Sequence, residues 1–242
     1  MKDLPKGTKI LTENPLKPFL GISLNTQDDI LRAFSRLSIN DQASYLQLHH
    51  DSSLSEQRLR VCDVFAKNGF GVKGGTSIVL KGSRFNHSCA PNAITSYNSA
   101  TKVQGFRLIR NVEEGEEITI SYLSGRLLRE ERRKLLKETY GFNCGCVACD
   151  QSTEFGRRSD TRRMRIQELW NGFGGETGKD LPQEWQKMVE EYEELATEEA
   201  LFEEIMDFYE HMSLVLGRRG DVEEASKMAK KLSEIGVICW GQ

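Results

Sequence analysis

The sequence predicts an α+β chain, with short strands and a helical insertion in its first half and helices alone in its second. Three observations carry this. Between Phe65 and Tyr122, brief apolar and β-branched runs alternate with glycine, asparagine and proline, the pattern of short strands joined by tight turns. Cys144, Cys146 and Cys149 fall within six residues, a spacing that reads as a metal site rather than a disulfide framework. From Trp185 onward, apolar residues recur at helical spacing in three stripes.

The chain has 242 residues, with 33 Lys and Arg against 36 Asp and Glu and a net charge of -3. That length allows one large domain or two smaller ones and a sizeable core. The charge balance argues against direct nucleic-acid binding. No apolar run is long enough to span a bilayer, and Met1 to Gly7 lacks the apolar core of a signal peptide. A membrane partner is therefore not expected, and placement in the nucleus or the cytoplasm is.

Taken in order, Asp3 to Thr8 reads as a turn and Lys9 to Glu13 as a short strand. One strand after a turn is an odd way to begin, and suggests that a first strand is missing. Residues 27–60 read as helical, with Ile30, Leu31, Phe34 and Leu37 on one face and Ser38 to Asp41 capping a second helix that carries Tyr45, Leu46 and Leu48. His49 and His50 read as surface or capping residues. Gly69, Gly71, Gly74 and Gly75 punctuate short strands; Gly69-Phe70-Gly71 lacks the strand-to-helix context of a dinucleotide fingerprint. Ile94 to Tyr97 and Val103 to Ile109 form a hairpin turning near Asn98 to Thr101, and Ile118 to Tyr122 is a strand. Leu127 to Tyr140 is a charged helix ended by Gly141.

Residues 151–163 are polar, with four arginines, and read as a solvated linker. A short helix over Arg165 to Trp170 and a break at Gly172, Gly174 and Gly175 follow. The three stripes are Trp185, Met188, Val189, Tyr192 and Leu195; Leu201, Ile205, Phe208, Met212, Val215 and Leu216; and Val222, Ala225, Ala229, Leu232 and Ile235. They read as seams of packed helices. Gly217 to Gly220 breaks the second helix from the third, which Asp221 and Glu224 start.

Two constellations could carry chemistry. Cys144-Gly145-Cys146-Val147-Ala148-Cys149 offers three thiolates to a tetrahedral ion, and the fourth ligand is open between Cys89, Cys62, Cys239 and a histidine. Arg84-Phe85-Asn86-His87-Ser88-Cys89-Ala90-Pro91-Asn92 crowds polar side chains after an apolar run. It reads either as a turn-forming loop or as a site. A Cys89–His87 pair could also serve a hydrolase, provided Cys89 holds no metal. Tyr122, at a strand end, is either a core residue or a hydrogen-bonding group in a pocket.

The stretch Arg84 to Asn92 resembles the Asn-His-Ser-Cys-x-Pro-Asn signature of SET-domain protein lysine methyltransferases. Gly115-Glu116-Glu117-Ile118-Thr119-Ile120-Ser121-Tyr122 is similar to that domain's second signature, and Tyr140 to Cys149 resembles the post-SET zinc segment. The order of the motifs is most similar to the SET-and-MYND branch, which also carries C-terminal helical repeats. The resemblance implies a SET domain over 1–126, with a helical insertion at about 27–60, and a post-SET helix and zinc segment over 127–150. A linker over 151–163 and a helical region over 164–242 complete the division.

It also implies a knot-like threading of the Asn86 strand beneath the segment leading to Tyr122. S-adenosylmethionine would lie against the backbone around Asn86 and His87, with Phe142 on the adenine. Tyr122 and Tyr140 would line the lysine channel, and Cys89 would complete a structural zinc site with Cys144, Cys146 and Cys149. The implied partner is a lysine-containing protein, histone or non-histone, with a further protein partner possible at the C-terminal helices.

The chain departs from the family at its start. Lys2 to Thr8 resembles the piece just after the family's G-x-G cofactor loop, and no cysteines between residues 12 and 60 supply a MYND insertion. The expectation is an N-terminally truncated form. Two function classes follow, a lysine methyltransferase and, if cofactor binding is lost, a SET-derived protein-binding module.

Overall fold

The computed structural model describes residues 3–20, 26–72, 75–173 and 181–240. Gly74, Gly174 and Gly175, expected in turns or a break, lie outside the described residues.

Strands β1 (Lys9–Glu13), β5 (Ala93–Asn98) and β6 (Val103–Leu108) form an antiparallel sheet in the order β1-β6-β5. The β5–β6 hairpin turns where expected. Asn98 Oδ1 accepts from the main-chain N–H of Ala100 and Thr101 at 3.0 and 2.9 Å, the local hydrogen bonding that suits asparagine to turns. Between β1 and β5 lie α1 (Gln27–Ser35), α2 (Ile39–Tyr45) and α3 (Gln57–Asn68). Thr26 and Ser38 cap the first two by accepting from the N–H of Asp29 and Asp41. The helical reading of 27–60 needs correction. Asp51-Ser52-Ser53 forms a turn instead, with the Ser53 N–H on Asp51 Oδ1 at 2.9 Å, and α3 runs on to Asn68. Phe19, Phe34, Tyr45, Val61, Val64 and Ile78 form the core of this insertion.

Short strands β2 (Phe70–Val72) and β3 (Gly75–Ser77) pair with each other. Strands β4 (Asn86–His87) and β7 (Thr119–Ile120) pair in parallel, Asn86 opposite Thr119 and His87 opposite Ile120. The strand expected over 118–122 is thus only two residues long, because side chains take over its ladder. Asn92 donates to the Glu117 carbonyl at 2.8 Å and accepts from Thr119 N–H at 2.8 Å, while His87 Nδ1 accepts from Tyr122 N–H at 3.0 Å.

Helix α4 (Arg129–Tyr140) ends at Gly141, whose φ of 82° is the left-handed conformation glycine adopts freely. Most of the expected linker over 151–163 is instead helical, residues 154–163 being the first half of a 19-residue helix, α5 (Glu154–Gly172). Thr153 caps it by accepting from Gly156 N–H at 3.0 Å, and Ser159, Arg162 and Arg163 are buried rather than solvated. A Cβ on Gly156 would sit 2.0 Å from the Asp150 carbonyl oxygen and 2.9 Å from that of Val147. Main-chain atoms cannot swing aside, so Gly156→Ala is expected to lower stability by about 1–3 kcal/mol, read as a fall in the thermal unfolding midpoint.

Helices α6 (Trp185–Glu198), α7 (Phe202–Arg219) and α8 (Val222–Trp240) complete the chain. Tyr192 and Phe208 stack at 3.9 Å in a core shared with Ile166, Leu169, Val189 and Met212. The third apolar stripe is rotated from expectation. Val222 and Ala229 face solvent, and Met228 and Gly236 are buried beside the partly buried Ala225, Leu232 and Ile235. The helices dock on the sheet through Ile94, Ile109, Phe202, Met206 and Cys239. Among the described residues, no helix is long and apolar enough to cross a membrane.

Candidate functional site

Folding brings Cys89, from the segment after β4, against Cys144, Cys146 and Cys149, from the loop after α4. The four sulfurs lie within 4.8 Å of one another, with Cys89 Sγ 3.6 Å from Cys149 Sγ and 3.9 Å from Cys144 Sγ. Cys239 is instead packed in the apolar contact between helices and sheet, and Cys62 lies on α3. The donor set suits a soft divalent ion, four thiolates being a common tetrahedral zinc set.

Its surroundings also suit thiolates. The Cys89 N–H donates to Cys146 Sγ at 3.3 Å, and the buried Arg132 guanidinium lies 3.9 Å from Cys149 Sγ. Hydrogen bonds from Cys144, Cys149 and Cys89 hold the Cys146 thiol far below its ordinary pKa, while the corresponding contacts push Cys89 up. Buried among three sulfurs, Cys89 has neither the access nor the acidity of a nucleophile, so the Cys–His hydrolase reading fails on geometry even though His87 Nε2 is 3.2 Å from its sulfur.

Two cavities meet beside this cluster. One, of about 360 Å³, has Asn68, Asn86, Tyr122, Tyr140 and Phe142 in its wall. The other, of about 400 Å³, is bounded by Phe70, Thr95, Tyr97 and Gln104, and again by Tyr122 and Tyr140. Both fall within the range of small-molecule sites, about 300–1,000 Å³. The shared tyrosines are half-buried, their ring centroids 4.9 Å apart. Burial pushes the Tyr122 hydroxyl up to about 12 and raises that of Tyr140. Tyr122 is fixed at both ends, its Oη donating to the Phe85 carbonyl at 2.6 Å and its N–H to His87.

The residues singled out in the sequence therefore converge, with one division of labour that spacing does not reveal. The Asn86 side chain lies at the first cavity and donates to Glu117 Oε1 at 2.6 Å. The His87 imidazole is absent from that wall. It is engaged by Tyr122 and Cys89, and burial depresses its pKa to about 4, so it is neutral at pH 7. His49, expected merely at the surface, also borders the first cavity, its Nε2 3.4 Å from the Tyr140 carbonyl.

Two features escaped the sequence reading. Asn68 borders both cavities, and its buried amide donates to the His49 and Val64 carbonyls at 2.8 Å. A polar residue ending an amphipathic helix beside Gly69 is the signal that marks it. The second is an ionic cluster beneath the cysteines. Glu199, fully buried, accepts from Ser159 Oγ at 2.8 Å, Arg162 Nε at 2.6 Å and Arg163 Nε at 2.8 Å. Arg163 also donates to the Cys89 carbonyl at 2.7 Å. Consecutive arginines at a helical position offer no sequence signal that separates this arrangement from a solvated face.

Comparison with known proteins adds to this geometry. A family model described as the SET domain matches residues 1–123. The chain is 30% identical over 172 residues to histone-lysine N-methyltransferase set5 of Schizosaccharomyces pombe, covering 67% of this chain and 50% of that protein. It is 40% identical over 149 residues to histone-lysine N-methyltransferase SMYD3 of Mus musculus, 61% of this chain and 32% of that one. To N-lysine methyltransferase SMYD2 of Gallus gallus it is 27% identical over 131 residues, 52% and 28% of the two chains. The chain thus spans half or less of the length of these relatives.

Proposed function

Because the chain belongs to the SET-domain family, with relatives in the SET-and-MYND branch, we propose that it is a protein-lysine N-methyltransferase. The reaction moves a methyl group from S-adenosylmethionine to the side-chain amine of a lysine in a protein substrate. The observation that carries this reading is the meeting of two cavities at the Tyr122–Tyr140 pair, one to hold a methyl donor and the other an acceptor. In this reading Asn86, the main chain at His87, Tyr122 and Phe142 hold the cofactor. The parallel β4–β7 pairing supports the knot-like crossing of the family. A zinc ion held by Cys89, Cys144, Cys146 and Cys149 is structural and pins the loop that carries Phe142.

S-adenosylmethionine supplies a methyl group on a sulfonium, ready for in-line displacement. The chain's own residues prepare the amine. Free lysine has a pKa of about 10.4 and must lose its proton before it can attack. Half-buried aromatic walls disfavour the ammonium form. The Tyr122 hydroxyl keeps its proton, which it gives to the Phe85 carbonyl. Its oxygen is therefore left as an acceptor, able to take an amine N–H and turn the nitrogen lone pair toward the methyl group. Alignment of this kind supplies most of the acceleration.

Histone or non-histone substrates both suit this reading, in the nucleus or the cytoplasm, and the C-terminal helices are a second face for a protein partner. Transfer of labelled methyl from S-adenosylmethionine to lysine-rich acceptor proteins tests it. Label should appear on lysine and vanish when acceptor lysines are blocked beforehand. No label in any acceptor, together with no heat of cofactor binding by calorimetry, would sink the reading. Tyr122→Phe is expected to lower kcat roughly a hundredfold with a much smaller change in cofactor affinity, since it removes the hydroxyl that orients the amine and keeps the ring that borders the first cavity.

A further inference from the structure

We infer that His87 is a positioning residue that ties the metal centre to the placement of Tyr122. The inference rests on the proposal that the four cysteines hold a metal. His87 has one ring nitrogen on each side of this link. A main-chain N–H can only donate, so Nδ1, 3.0 Å from the Tyr122 nitrogen, is an acceptor without a proton. With Nδ1 bare, the ring carries its proton on Nε2, which donates to Cys89 Sγ at 3.2 Å.

The chemistry makes this link directional. A metal-bound sulfur has no proton to give, so it accepts from Nε2 and fixes the ring in that tautomer. The opposite tautomer would set an Nδ1–H against the Tyr122 N–H, donor against donor. The partner of a metal ligand commonly orients it, and here the same ring also fixes an element of the proposed channel. Tyr122 has a second anchor from the same segment, the Phe85 carbonyl at 2.6 Å. The segment from Phe85 to Cys89 that supplies a cysteine to the metal therefore also holds Tyr122 at its main chain and at its hydroxyl. Metal occupancy should be felt at Tyr122 through His87, and not only through the loop that carries Phe142.

Two substitutions separate the two hydrogen bonds. In His87→Asn, Oδ1 can replace Nδ1 as acceptor for Tyr122, with nothing left to reach the sulfur. In His87→Gln, the side-chain amide can reach Cys89, with no acceptor left for Tyr122. The readouts are zinc transfer to a chromogenic chelator and hydrogen exchange at the Tyr122 amide by NMR, for the wild type with and without zinc and for both variants.

Stripping zinc from the wild type is expected to speed Tyr122 exchange at least roughly tenfold, the worth of the one net hydrogen bond from His87. His87→Asn should give up zinc about 10–100-fold more readily while keeping slow Tyr122 exchange when loaded. His87→Gln should hold zinc much as the wild type does, yet exchange fast at Tyr122 even when loaded. Tyr122 exchange that ignores zinc in the wild type would overturn the inference. So would equal loss of both properties in the two variants, including by unfolding seen in circular dichroism. A protein that carries no zinc also overturns it, but leaves the methyl-transfer reading standing, since neither readout involves methyl transfer.

Discussion

Replacing Glu199 with alanine is expected to remove roughly 3–5 kcal/mol of folding stability, the cost of leaving a buried charge without its partner. Arg162 and Arg163 are 6% and 1% exposed, and both rest on a carboxylate that is fully buried. Alanine would strand the Arg163 guanidinium in the interior and leave Arg162 with the half-exposed Glu198 as its carboxylate partner. In a chain of this size the thermal midpoint should drop by roughly 10 °C. The neighbouring Glu198 provides the control. It meets Arg162 Nη1 at 3.0 Å but its side chain is 49% exposed, so Glu198→Ala should cost less than about 1 kcal/mol. Equal effects of the two substitutions in a melting experiment would show that the buried cluster is worth no more than an exposed ion pair.

Removal of the proposed zinc ion should be felt still more widely. A structural zinc site contributes on the order of 10–16 kcal/mol of apparent binding free energy, comparable to the entire stability of a typical domain at about 5–15 kcal/mol. Chelation, or Cys146→Ser, is expected to release one equivalent of zinc and to open the segment after α4 to proteolysis. Phe142 and the Tyr140 wall of the cavities lie on or beside that segment. Cys62→Ser and Cys239→Ser should leave the zinc content unchanged, because neither sulfur joins the group of four. Zinc loss on replacing Cys62, or an unchanged digestion pattern after chelation, would refute the assignment.

The motifs that were legible are those whose chemistry is local. Cys144, Cys146 and Cys149 point to a metal site because three thiols within six residues read as ligands rather than as a disulfide framework. The Arg84 to Asn92 stretch stands out for its density of polar groups, and the hairpin for its turn residues. What stayed hidden depends on partners distant in the chain. The strand at Ile118 to Tyr122 looks longer than it is, because Asn92 and His87 replace strand neighbours with side chains. Residues 151–163 look like a linker because charge in a sequence reads as solvation, whereas Arg162 and Arg163 are matched by a glutamate that follows Arg163 by 36 residues. The third apolar stripe looks rotated in the sequence because Val222, next to the turn, carries an apolar side chain into solvent at 72% exposure.

The buried arginine cluster has a consequence for how the chain is made. The Cys89 carbonyl waits for Arg163, which follows it by 74 residues, and Arg163 waits for Glu199, a further 36 residues on. At translation rates of about 5–20 residues per second, roughly 5–20 seconds separate the emergence of Cys89 from that of Glu199. For the last roughly 2–7 seconds of that interval the Arg163 guanidinium, which braces the Cys89 carbonyl, has emerged but lacks its counter-charge. The nascent chain thus presents its four thiols before the buried glutamate that completes the scaffold around Cys89.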